Sequence, residues 1–269
     1  MSKLSIIIVN YNTGALTHSC VESLLADKLP AGTEIIVVDN ASSDESVSFL
    51  RSDFPEIRVI VNHKNKGLAY GVNRGIAAAN GKYYLFLNPD IIALPGGVGT
   101  LVDFMDRNQK VGVAGGKLLS PNGKLQYSTF RFYTPRTILS RRTWLGQTKR
   151  GQEIEDTFLM KDFDHESVRD VQWLMGSCLM VRAEAVRAVG GMDERFFLYF
   201  EDVDWCRRFW ETGWRVTYVP QANFSHFHQQ SSRQNSLFGI IINWSTREHI
   251  WSAIKYFWKY RGKEIPGVD

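Results

Sequence analysis

Short apolar runs alternate with amphipathic segments along the first third of the chain. Two of these runs, at residues 4–9 and 34–40, are rich in isoleucine and valine. Strands that are buried on both faces of a parallel sheet have such continuous apolar sequences. The pattern predicts four strands separated by three helices, with strands at 4–9, 34–40, 57–62 and 83–90 and helices at 14–26, 42–54 and 67–81.

The second predicted helix begins in a cluster of small polar and acidic residues. Ser42 or Ser43 is the expected N-cap, since a serine side chain can accept a hydrogen bond from a free backbone N–H of the first turn. Asp44 and Glu45 would then lie in the first turn, where the helix dipole favours negative charge.

Alternation of strand and helix is typical of an α/β fold with a parallel sheet and right-handed crossovers. In such sheets, ligands bind beyond the carboxyl ends of the strands. A single polar residue after a strand usually forms a turn, but here all four predicted strands end in polar groups, which predicts a shared ligand site. These groups are Asn10 to Asn12, Asp39 with Asn40, Asn62 to Gly67, and Asn88 with Asp90.

Length and composition are those of a globular protein. The 269 residues suffice for one large α/β domain or two small ones, and 44% of them are hydrophobic and 22% charged. The three cysteines form no CxxC pair, which favours a reducing compartment, so we expect a cytoplasmic protein. The N-terminal apolar run is too short for a signal peptide, and no stretch is long enough to span a bilayer.

Basic residues concentrate in one part of the chain. Residues 107–152 contain ten Lys or Arg side chains and no Asp or Glu, although the net charge of the chain is only +4. Such a block suits an anionic partner, namely a phosphate-bearing acceptor, an acidic membrane surface or a nucleic acid. A solvated connecting segment is the equally open alternative. Nucleic acid is the weakest of these partners, since the chain has no recognition motif or zinc pattern.

Two common nucleotide-binding motifs are absent. The first strand leads into NYNTG, not into G-x-G-x-x-G, and no G-x-x-x-x-G-K-[ST] loop occurs. A bound diphosphate would therefore need another source of positive charge. A divalent cation held by a carboxylate is the expected source, because Mg²⁺ and Mn²⁺ prefer oxygen ligands and bind phosphate oxygens directly.

Six motifs together carry a family resemblance. SIIIVNYN, IIVVDNASSD, NKGLAYGVNRG, YYLFLNPD, GGMDERFFLYFEDVDWCRR and HFH occur in this order. Between residue 4 and about residue 228 the chain resembles glycosyltransferase family 2, and within it the bacterial rhamnosyltransferase-type members. The resemblance implies the GT-A fold and an inverting transferase that uses a nucleotide-diphospho-sugar and Mg²⁺ or Mn²⁺.

The resemblance also implies a division of the chain. Residues 1–228 would form the GT-A domain, with a nucleotide-binding half at 1–105 and an acceptor-binding half at 106–228. Residues 229–269 would form a C-terminal helical extension rich in aromatic and basic residues. That extension could lie on a membrane surface, form a homodimer contact or cap the core.

Seven residues match the nucleotide side of the family's site. They are Tyr11, Asp39, Asn65, Lys66, Gly67, Asn73 and Asn88. The resemblance implies that Asp39 accepts a hydrogen bond from the ring N–H of uracil or thymine and that Tyr11 contributes a face for the base. Lys66 would approach a phosphate. Asn88 replaces the first Asp of the family's D-x-D motif and would bind a ribose hydroxyl. The alternative for Asn73 is a plain polar position on a helix surface.

The same resemblance assigns the metal and the base. Asp90 matches the last Asp of D-x-D and would ligate the metal with His226, for which His228 is the alternative. Asp202 would be the general base that deprotonates the acceptor hydroxyl, with Glu201 as its substitute or as an acceptor-orienting group. The alternative is that these acids only favour the dipole of the helix that they begin.

The resemblance also implies residues for the acceptor side of the site. Trp173, Gly176 and Ser177 match positions near the sugar and acceptor, and core packing is the alternative for Trp173. Residues 127–165 have no regular period and are expected to form a long loop or a variable insertion over the active site, where acceptor choice would be made. Asp204 and Arg208 are four residues apart and are expected to form an ion pair within a helix.

These observations predict transfer of a sugar to a hydroxyl of a glycan or lipid-linked acceptor in cell-surface polysaccharide synthesis. Rhamnose from dTDP-rhamnose is the preferred donor. The alternative donors are UDP-sugars that carry galactose, glucose or N-acetylglucosamine. The alternative function is that of a noncatalytic nucleotide-binding module.

Overall fold

A computed structural model describes residues 4–227 and 244–267 of the chain. The strands are β1 (Leu4–Asn10), β2 (Glu34–Asp39), β3 (Arg58–Val61), β4 (Tyr83–Leu87), β5 (Ile91–Ala93), β6 (Val111–Leu119), β7 (Leu125–Gln126), β8 (Thr129–Phe130), β9 (Arg169–Asp170), β10 (Trp173–Leu174), β11 (Cys178–Arg182) and β12 (Arg215–His226). The α-helices are α1 (Gly14–Ala26), α2 (Ser46–Asp53), α3 (Leu68–Ala78), α4 (Gly97–Arg107), α5 (Pro135–Arg142), α6 (Lys149–Phe158), α7 (Ala183–Val189), α8 (Glu201–Glu211) and α9 (Trp244–Lys259).

The four strands expected from the first third of the sequence form one half of the central sheet. They lie in the order β3-β2-β1-β4, and every neighbouring pair among them is parallel. The predicted α/β class is therefore confirmed, and so is the expectation that these four strands end at one edge. Beyond β4 the sheet continues as β11-β6-β12-β5.

The strand β11 joins the two halves of the sheet. It runs antiparallel to both β4 and β6. Just before it, the carbonyl oxygen of Ser177 accepts a hydrogen bond of 2.9 Å from the backbone N–H of Asn88, which follows β4. This pairing brings the segment before β11 to the edge where the parallel strands end.

The sheet has a hydrophobic core on each face, because successive side chains of a strand point to opposite sides. Ile6 and Ile8 of β1 pack on the side of α1, α2 and α4, whereas Ile7 and Val9 pack on the side of α3, α8 and α9. A buried run such as LSIIIV is thus explained by helices on both sides. Within the two described ranges, no helix is long and apolar enough to cross a membrane.

The N-terminal part of the second helix differs from the prediction. The helix α2 begins at Ser46, after an N-cap at Glu45 that makes no side-chain cap bond, and its first turn contains no acid. The proposed cap Ser42 instead donates its hydroxyl hydrogen to Asp39, at 2.6 Å. A buried carboxylate at the end of β2 is the stronger acceptor, so the serine completes the strand end and does not cap the helix.

The expectation of an irregular loop at 127–165 is wrong. This segment contains β8, α5, a short 3-10 helix at Trp144–Gln147, and α6. The helix α5 has a mean hydropathy typical of an exposed helix, and only Thr137 and Ser140 are buried in it. Because its buried positions are polar, the segment shows no apolar stripe from which the helix could be recognised.

Candidate functional site

A hydrogen-bonded cluster forms where β1 and β2 end. The Asp39 carboxylate is fully buried and accepts hydrogen bonds from the side-chain amide of Asn10, at 2.7 Å, and from the backbone N–H and hydroxyl of Ser42. Tyr11, the next residue after β1, is 48% exposed. The carboxylate thus organises the strand ends, and its role in base recognition stays a prediction.

A second layer of amide contacts links β2 to the start of α3. Asn40 accepts a hydrogen bond from the side chain of Asn62 and donates one to the carbonyl oxygen of Gly67. Gly67 has a φ of +97°, and a Cβ atom there would lie 2.3 Å from the carbonyl oxygen of Phe197. A glycine is required at this position, because the backbone of residue 197 occupies the space of a side chain.

The remaining predicted nucleotide-side residues have contacts within the protein. Asn65 accepts a hydrogen bond from the N–H of Gly67, and the exposed Lys66 has its ammonium group 4.9 Å from the centre of the Tyr70 ring. The side chain of Asn73 bonds both the N–H and the carbonyl oxygen of Met192. Asn73 is therefore more than a surface residue, since it holds the segment before α8 in place.

Asp90 and His226 lie together, as the metal assignment requires. Asp90 Oδ2 is 3.3 Å from His226 Nε2. The other ring nitrogen, Nδ1, lies 2.8 Å from Oε1 of Gln126, whose amide nitrogen donates to the carbonyl oxygen of His226. The amide of Gln126 is thereby oriented to accept from Nδ1–H, so that Nε2 is the ring nitrogen that faces the carboxylate.

This pair fits a divalent cation. An imidazole nitrogen and a carboxylate oxygen that face each other at 3.3 Å are two donor atoms that one divalent cation could share. Among the described residues, no group of three or more His, Cys, Asp and Glu side chains could hold a metal. Such a cation would take its other ligands from diphosphate oxygens and water, as Mg²⁺ usually does. The alternative ligand His228 lies outside the described residues.

The two predicted catalytic acids begin the helix α8. Asp202 Oδ2 accepts a hydrogen bond of 2.8 Å from the N–H of Gly176, and Oδ1 accepts one of 2.8 Å from the N–H of Val203. Burial raises the pKa of Asp202 to about 6. Burial and the neighbouring Asp202 raise the pKa of Glu201 well above its ordinary value. Both carboxyl groups therefore hold a proton more strongly than ordinary acids, and ionisation of one disfavours ionisation of the other.

The backbone that leads into these acids has an unusual conformation. Tyr199 and Phe200 both have a φ of +68°, in the left-handed region that residues with a Cβ rarely adopt. Such conformations persist where the surroundings enforce them, and they are frequent next to functional groups. Here the Tyr199 hydroxyl group forms a hydrogen bond of 2.7 Å with the Ser245 hydroxyl group of α9.

The expected ion pair between Asp204 and Arg208 within α8 is confirmed, with 2.8 Å between Asp204 Oδ2 and Arg208 Nε.

A single cavity of about 520 Å³ joins the metal pair to the acids. It collects eight of the residues that the sequence singled out, which are Asn88, Asp90, Trp173, Gly176, Ser177, Glu201, Asp202 and His226. The other six, which are Tyr11, Asp39, Asn65, Lys66, Gly67 and Asn73, are not in its wall. The eight cavity residues and the other six lie along the same edge of the sheet. Asn88, a cavity residue, follows β4, and β4 is the neighbour of β1, which precedes Tyr11.

Trp173 packs in the core and also borders the cavity, and its contact with a sugar or acceptor stays a prediction. Its ring is buried and stacks on Phe130, with 4.3 Å between ring centres, and its Nε1–H donates to the carbonyl oxygen of Arg131. The same ring forms part of the cavity wall. Core packing thus fixes the orientation of a ring that a ligand could contact.

Polar atoms without partners concentrate in this cavity. Among the described residues, seven buried side-chain N or O atoms have no hydrogen-bond partner within the protein. Four of the seven belong to residues of the cavity wall, which are Arg141, Ser177, Glu201 and His249. Buried polar groups are nearly always paired in native proteins, so this concentration indicates a polar ligand.

Sequence reasoning missed several residues of the wall. Tyr133, Arg141 and Arg142 come from the segment that was expected to be a loop, and His249 comes from α9. Only the block of basic residues at 107–152 gave a signal for the arginines. The ring of His249 packs against Phe200 at 5.2 Å, and no motif or spacing identified it.

The sequence of this chain is similar to those of named glycosyltransferases. Residues 5–187 match the sequence profile of glycosyl transferase family 2. An N-acetylglucosaminyl-diphospho-decaprenol L-rhamnosyltransferase of Mycobacterium tuberculosis is 30% identical over 85% of this chain and 77% of its own length. The rhamnosyltransferase WbbL of Escherichia coli is 27% identical over 95% of this chain and 93% of its own length.

A solved structure with the same fold contains a bound metal. The mannosyltransferase PcManGT of Pyrobaculum calidifontis, in complex with GDP-Man and Mn²⁺, superposes with a TM-score of 0.59 at 16% identity and covers 94% of this chain. The present chain spans 64% of that solved chain, which is less than two thirds of it. The fold of this chain is thus the GT-A fold that the sequence resemblance implied.

Proposed function

The chain belongs to glycosyl transferase family 2, and from this premise we propose that it is an inverting, divalent-cation-dependent transferase. It moves a sugar from a nucleotide-diphospho-sugar to a hydroxyl of an acceptor. One observation carries the proposal, which is that Asp90 and Asp202 line the same cavity. A donor held at Asp90 can therefore present its anomeric carbon to an acceptor beside Asp202.

In the proposed reaction Asp202 is the general base. The acceptor oxygen attacks the anomeric carbon as its proton passes to the Asp202 carboxylate, and the bond from that carbon to the diphosphate oxygen breaks on the opposite face. Two features support this role. A pKa of about 6 leaves the carboxylate ionised at neutral pH yet more basic than an ordinary aspartate. The N–H groups of Gly176 and Val203 also hold it in one orientation.

Glu201 complements Asp202 in this scheme. Its carboxyl group is buried, and its Oε2 has no partner among the described residues. As a protonated acid at neutral pH it can donate a hydrogen bond to an acceptor oxygen, which orients the nucleophile without competing for its proton. The two adjacent acids would then have different tasks because burial separates their protonation states.

Asp90 and His226 would hold Mg²⁺ or Mn²⁺ in this proposal. When bound, the cation would neutralise the charge that develops on the leaving diphosphate. Gln126 would keep the imidazole of His226 in the tautomer that a metal ligand requires. Support comes from the pairing of Asp90 with His226 and from the Mn²⁺ in the structure of PcManGT.

For the substrates, we propose dTDP-rhamnose as donor and a lipid-linked glycan as acceptor in cell-surface polysaccharide synthesis. Two of the relatives are named as rhamnosyltransferases, and the name of one includes a diphospho-decaprenol acceptor. UDP-linked galactose, glucose or N-acetylglucosamine are the competing donors.

On the nucleotide side, Tyr11 and Asp39 would bind the base. Asn88 would bind the ribose, and Lys66 would bind a phosphate. The loop and helix beside them would be shaped by Asn65, Gly67 and Asn73.

A lipid-linked acceptor would require contact with a membrane surface, and we assign that contact to α9. The inner face of this helix packs on the core through Ala253 and Tyr256. Its outer face exposes Trp251 and Trp258, at 56% and 74%, beside basic residues such as Arg247. Exposed tryptophans beside cationic side chains suit the anionic headgroup region at the inner face of a cytoplasmic membrane.

Vesicle binding tests that contact. Vesicles containing phosphatidylglycerol should retain the protein more than phosphatidylcholine vesicles do. The pair Trp251→Ser and Trp258→Ser should abolish the difference, whereas Val168→Ser, at an exposed apolar residue elsewhere, should not. Dimerisation of the wild type in solution that the tryptophan variant loses would assign the face to a homodimer instead.

A donor panel tests the function itself. Melting temperatures are measured with dTDP-rhamnose, UDP-glucose, UDP-galactose and UDP-N-acetylglucosamine, each with and without Mn²⁺, because a ligand that binds only the folded state raises apparent stability. One donor should stabilise the protein, and only with Mn²⁺. Stabilisation without transfer or hydrolysis of any donor would indicate a noncatalytic binding module, and no stabilisation by any donor would contradict the proposal.

A further inference from the structure

Two adjacent arginines at the end of α5 lie in the cavity wall. They are Arg141 and Arg142, and both are half-buried. The guanidinium carbon of Arg141 lies 4.7 Å from the centre of the Phe158 ring, a distance typical of a cation–π contact. Its Nη1 atom is buried and has no hydrogen-bond partner among the described residues.

The acids of the cavity do not supply that partner. Asp202 accepts from two backbone N–H groups, and Asp90 faces His226. Burial and the neighbouring Asp202 raise the pKa of Glu201, which favours its uncharged form. Glu155 also lies in the wall but is no hydrogen-bond partner of Arg141 Nη1. A buried arginine nitrogen without a partner is costly, so an anion from outside the protein is the expected complement.

The arginines lie on the base side of the cavity. Arg141 contacts the ring of Phe158, and the centre of that ring lies 4.6 Å from the centre of the Tyr133 ring. The ring of Tyr133 packs on Phe200, 4.7 Å away, directly before the catalytic acids. The arginines are therefore near the position at which the proposed acceptor would be deprotonated.

The lowered pKa of the neighbouring His249 agrees with positive charge in this part of the cavity. Burial, followed by the positive charges of Arg142 and Arg141, lowers the pKa of His249 to about 3. Its Nδ1 atom is buried and lacks a partner among the described residues. A neutral imidazole can donate or accept a hydrogen bond, so it can serve the same ligand as the arginines without adding charge.

We propose that Arg141, with Arg142 and His249 beside it, forms a subsite for a phosphate group of the acceptor. This inference rests on the proposed function and deepens it, since it assigns to the acceptor a phosphate or diphosphate close to its reacting sugar. Guanidinium groups bind phosphate oxygens through paired N–H donors, and the contact with Phe158 helps to hold the Arg141 group in the cavity wall. The donor diphosphate is the competing source of phosphate, at the side of Asp90 and His226.

Binding of farnesyl diphosphate and of farnesol, which share one chain and differ in the diphosphate, tests the subsite. Dissociation constants are measured by quenching of tryptophan fluorescence for the wild type, Arg141→Gln and Arg141→Lys. Arg136→Gln is the matched control, because Arg136 lies on the same helix but is exposed and outside the cavity. Binding of dTDP and of UDP with Mn²⁺ is measured in parallel to report the donor side, and melting temperatures verify folding.

The wild type should bind farnesyl diphosphate more tightly than farnesol. Arg141→Gln should weaken farnesyl diphosphate binding by about tenfold, as expected for a lost charged hydrogen bond. Arg141→Lys should lie between Arg141→Gln and the wild type, and Arg136→Gln should equal the wild type. Binding of farnesol and of the nucleotides should be unchanged in every variant.

Three outcomes would overturn the inference. The first is equal binding of farnesyl diphosphate and farnesol by the wild type, and the second is unchanged farnesyl diphosphate binding by Arg141→Gln. The third is a parallel loss of nucleotide binding, which would assign the arginines to the donor. Failure of the proposed function is distinct from these, because it would appear as absence of Mn²⁺-dependent nucleotide binding in the wild type.

Discussion

Replacing Gly176 by alanine would place a methyl group 3.1 Å from Cβ of Asp202 and 3.2 Å from its Oδ2 atom. These separations are a few tenths of an ångström shorter than ordinary van der Waals contacts. The carboxylate also accepts the 2.8 Å hydrogen bond from the N–H of Gly176, so the backbone cannot move away without breaking that bond. The Asp202 side chain must therefore shift or rotate.

The size of the effect follows from the role of Asp202 as a positioned base. Misplacement of a reacting group by a fraction of an ångström to one ångström can cost up to about 100-fold in rate. We expect kcat of Gly176→Ala to fall by about 10- to 100-fold. Donor affinity should stay the same, because the three atoms nearest to the added methyl group all belong to Asp202 and not to Asn88 or Asp90.

The assay compares transfer rates and donor binding for two glycine variants. Gly99→Ala is the control, since a Cβ atom at this position of α4 meets nothing within 4 Å. It should leave kcat unchanged and raise stability by up to about 1 kcal/mol through helix propensity. A wild-type kcat for Gly176→Ala, or equal losses in kcat and in donor affinity, would refute the reasoning.

Three further predictions concern pH, the metal and stability. Burial raises the pKa of Asp202 to about 6, and a protonated carboxyl group cannot take the proton of the acceptor hydroxyl. The kcat should therefore fall as the pH drops through about 6. A kcat that falls only near pH 4 would contradict this. With donor present, Mn²⁺ should stabilise the protein against heat. His226→Ala should raise the Mn²⁺ concentration at half of the maximal stabilisation by about tenfold or more. An unchanged Mn²⁺ titration would remove His226 from the metal site. Arg182, which is 2% exposed, donates to the carbonyl oxygens of Met105, Asn108 and Val111. Arg182→Met should therefore lower the free energy of unfolding by about 3 kcal/mol in urea denaturation, and a loss below about 1 kcal/mol would show that these carbonyls find other donors.

The parallel half of the fold could be predicted because its signal is local. Each buried strand is a continuous apolar run, and β1 to β4 were all recognised within two or three residues of their observed ends. The polar groups that follow these strands, such as Asp39 and Asp90, could be placed at one edge because parallel strands end together. Both of these inferences need only neighbouring residues and the chirality of the crossover.

The far side of the cavity could not be predicted in the same way. Tyr133, Arg141 and His249 reach it from α5, α9 and the segment before α5, and their positions depend on packing between distant parts of the chain. The orienting role of Gln126 is similar, because it lies 100 residues from His226 and the two meet only through the pairing of β6 with β7 and β12. Family resemblance supplied Asp202, but the N–H of Gly176 that orients it became apparent only in the fold.

The most direct test of the account is transfer by Asp202→Asn. The substitution keeps the size of the side chain and an oxygen that can accept one backbone N–H, but it removes the group that takes the acceptor's proton. We predict that Mn²⁺-dependent donor binding equals that of the wild type while transfer falls by about 100-fold or more. Transfer at the wild-type rate by a folded, donor-binding Asp202→Asn protein would contradict the claim that this cavity deprotonates the acceptor through Asp202.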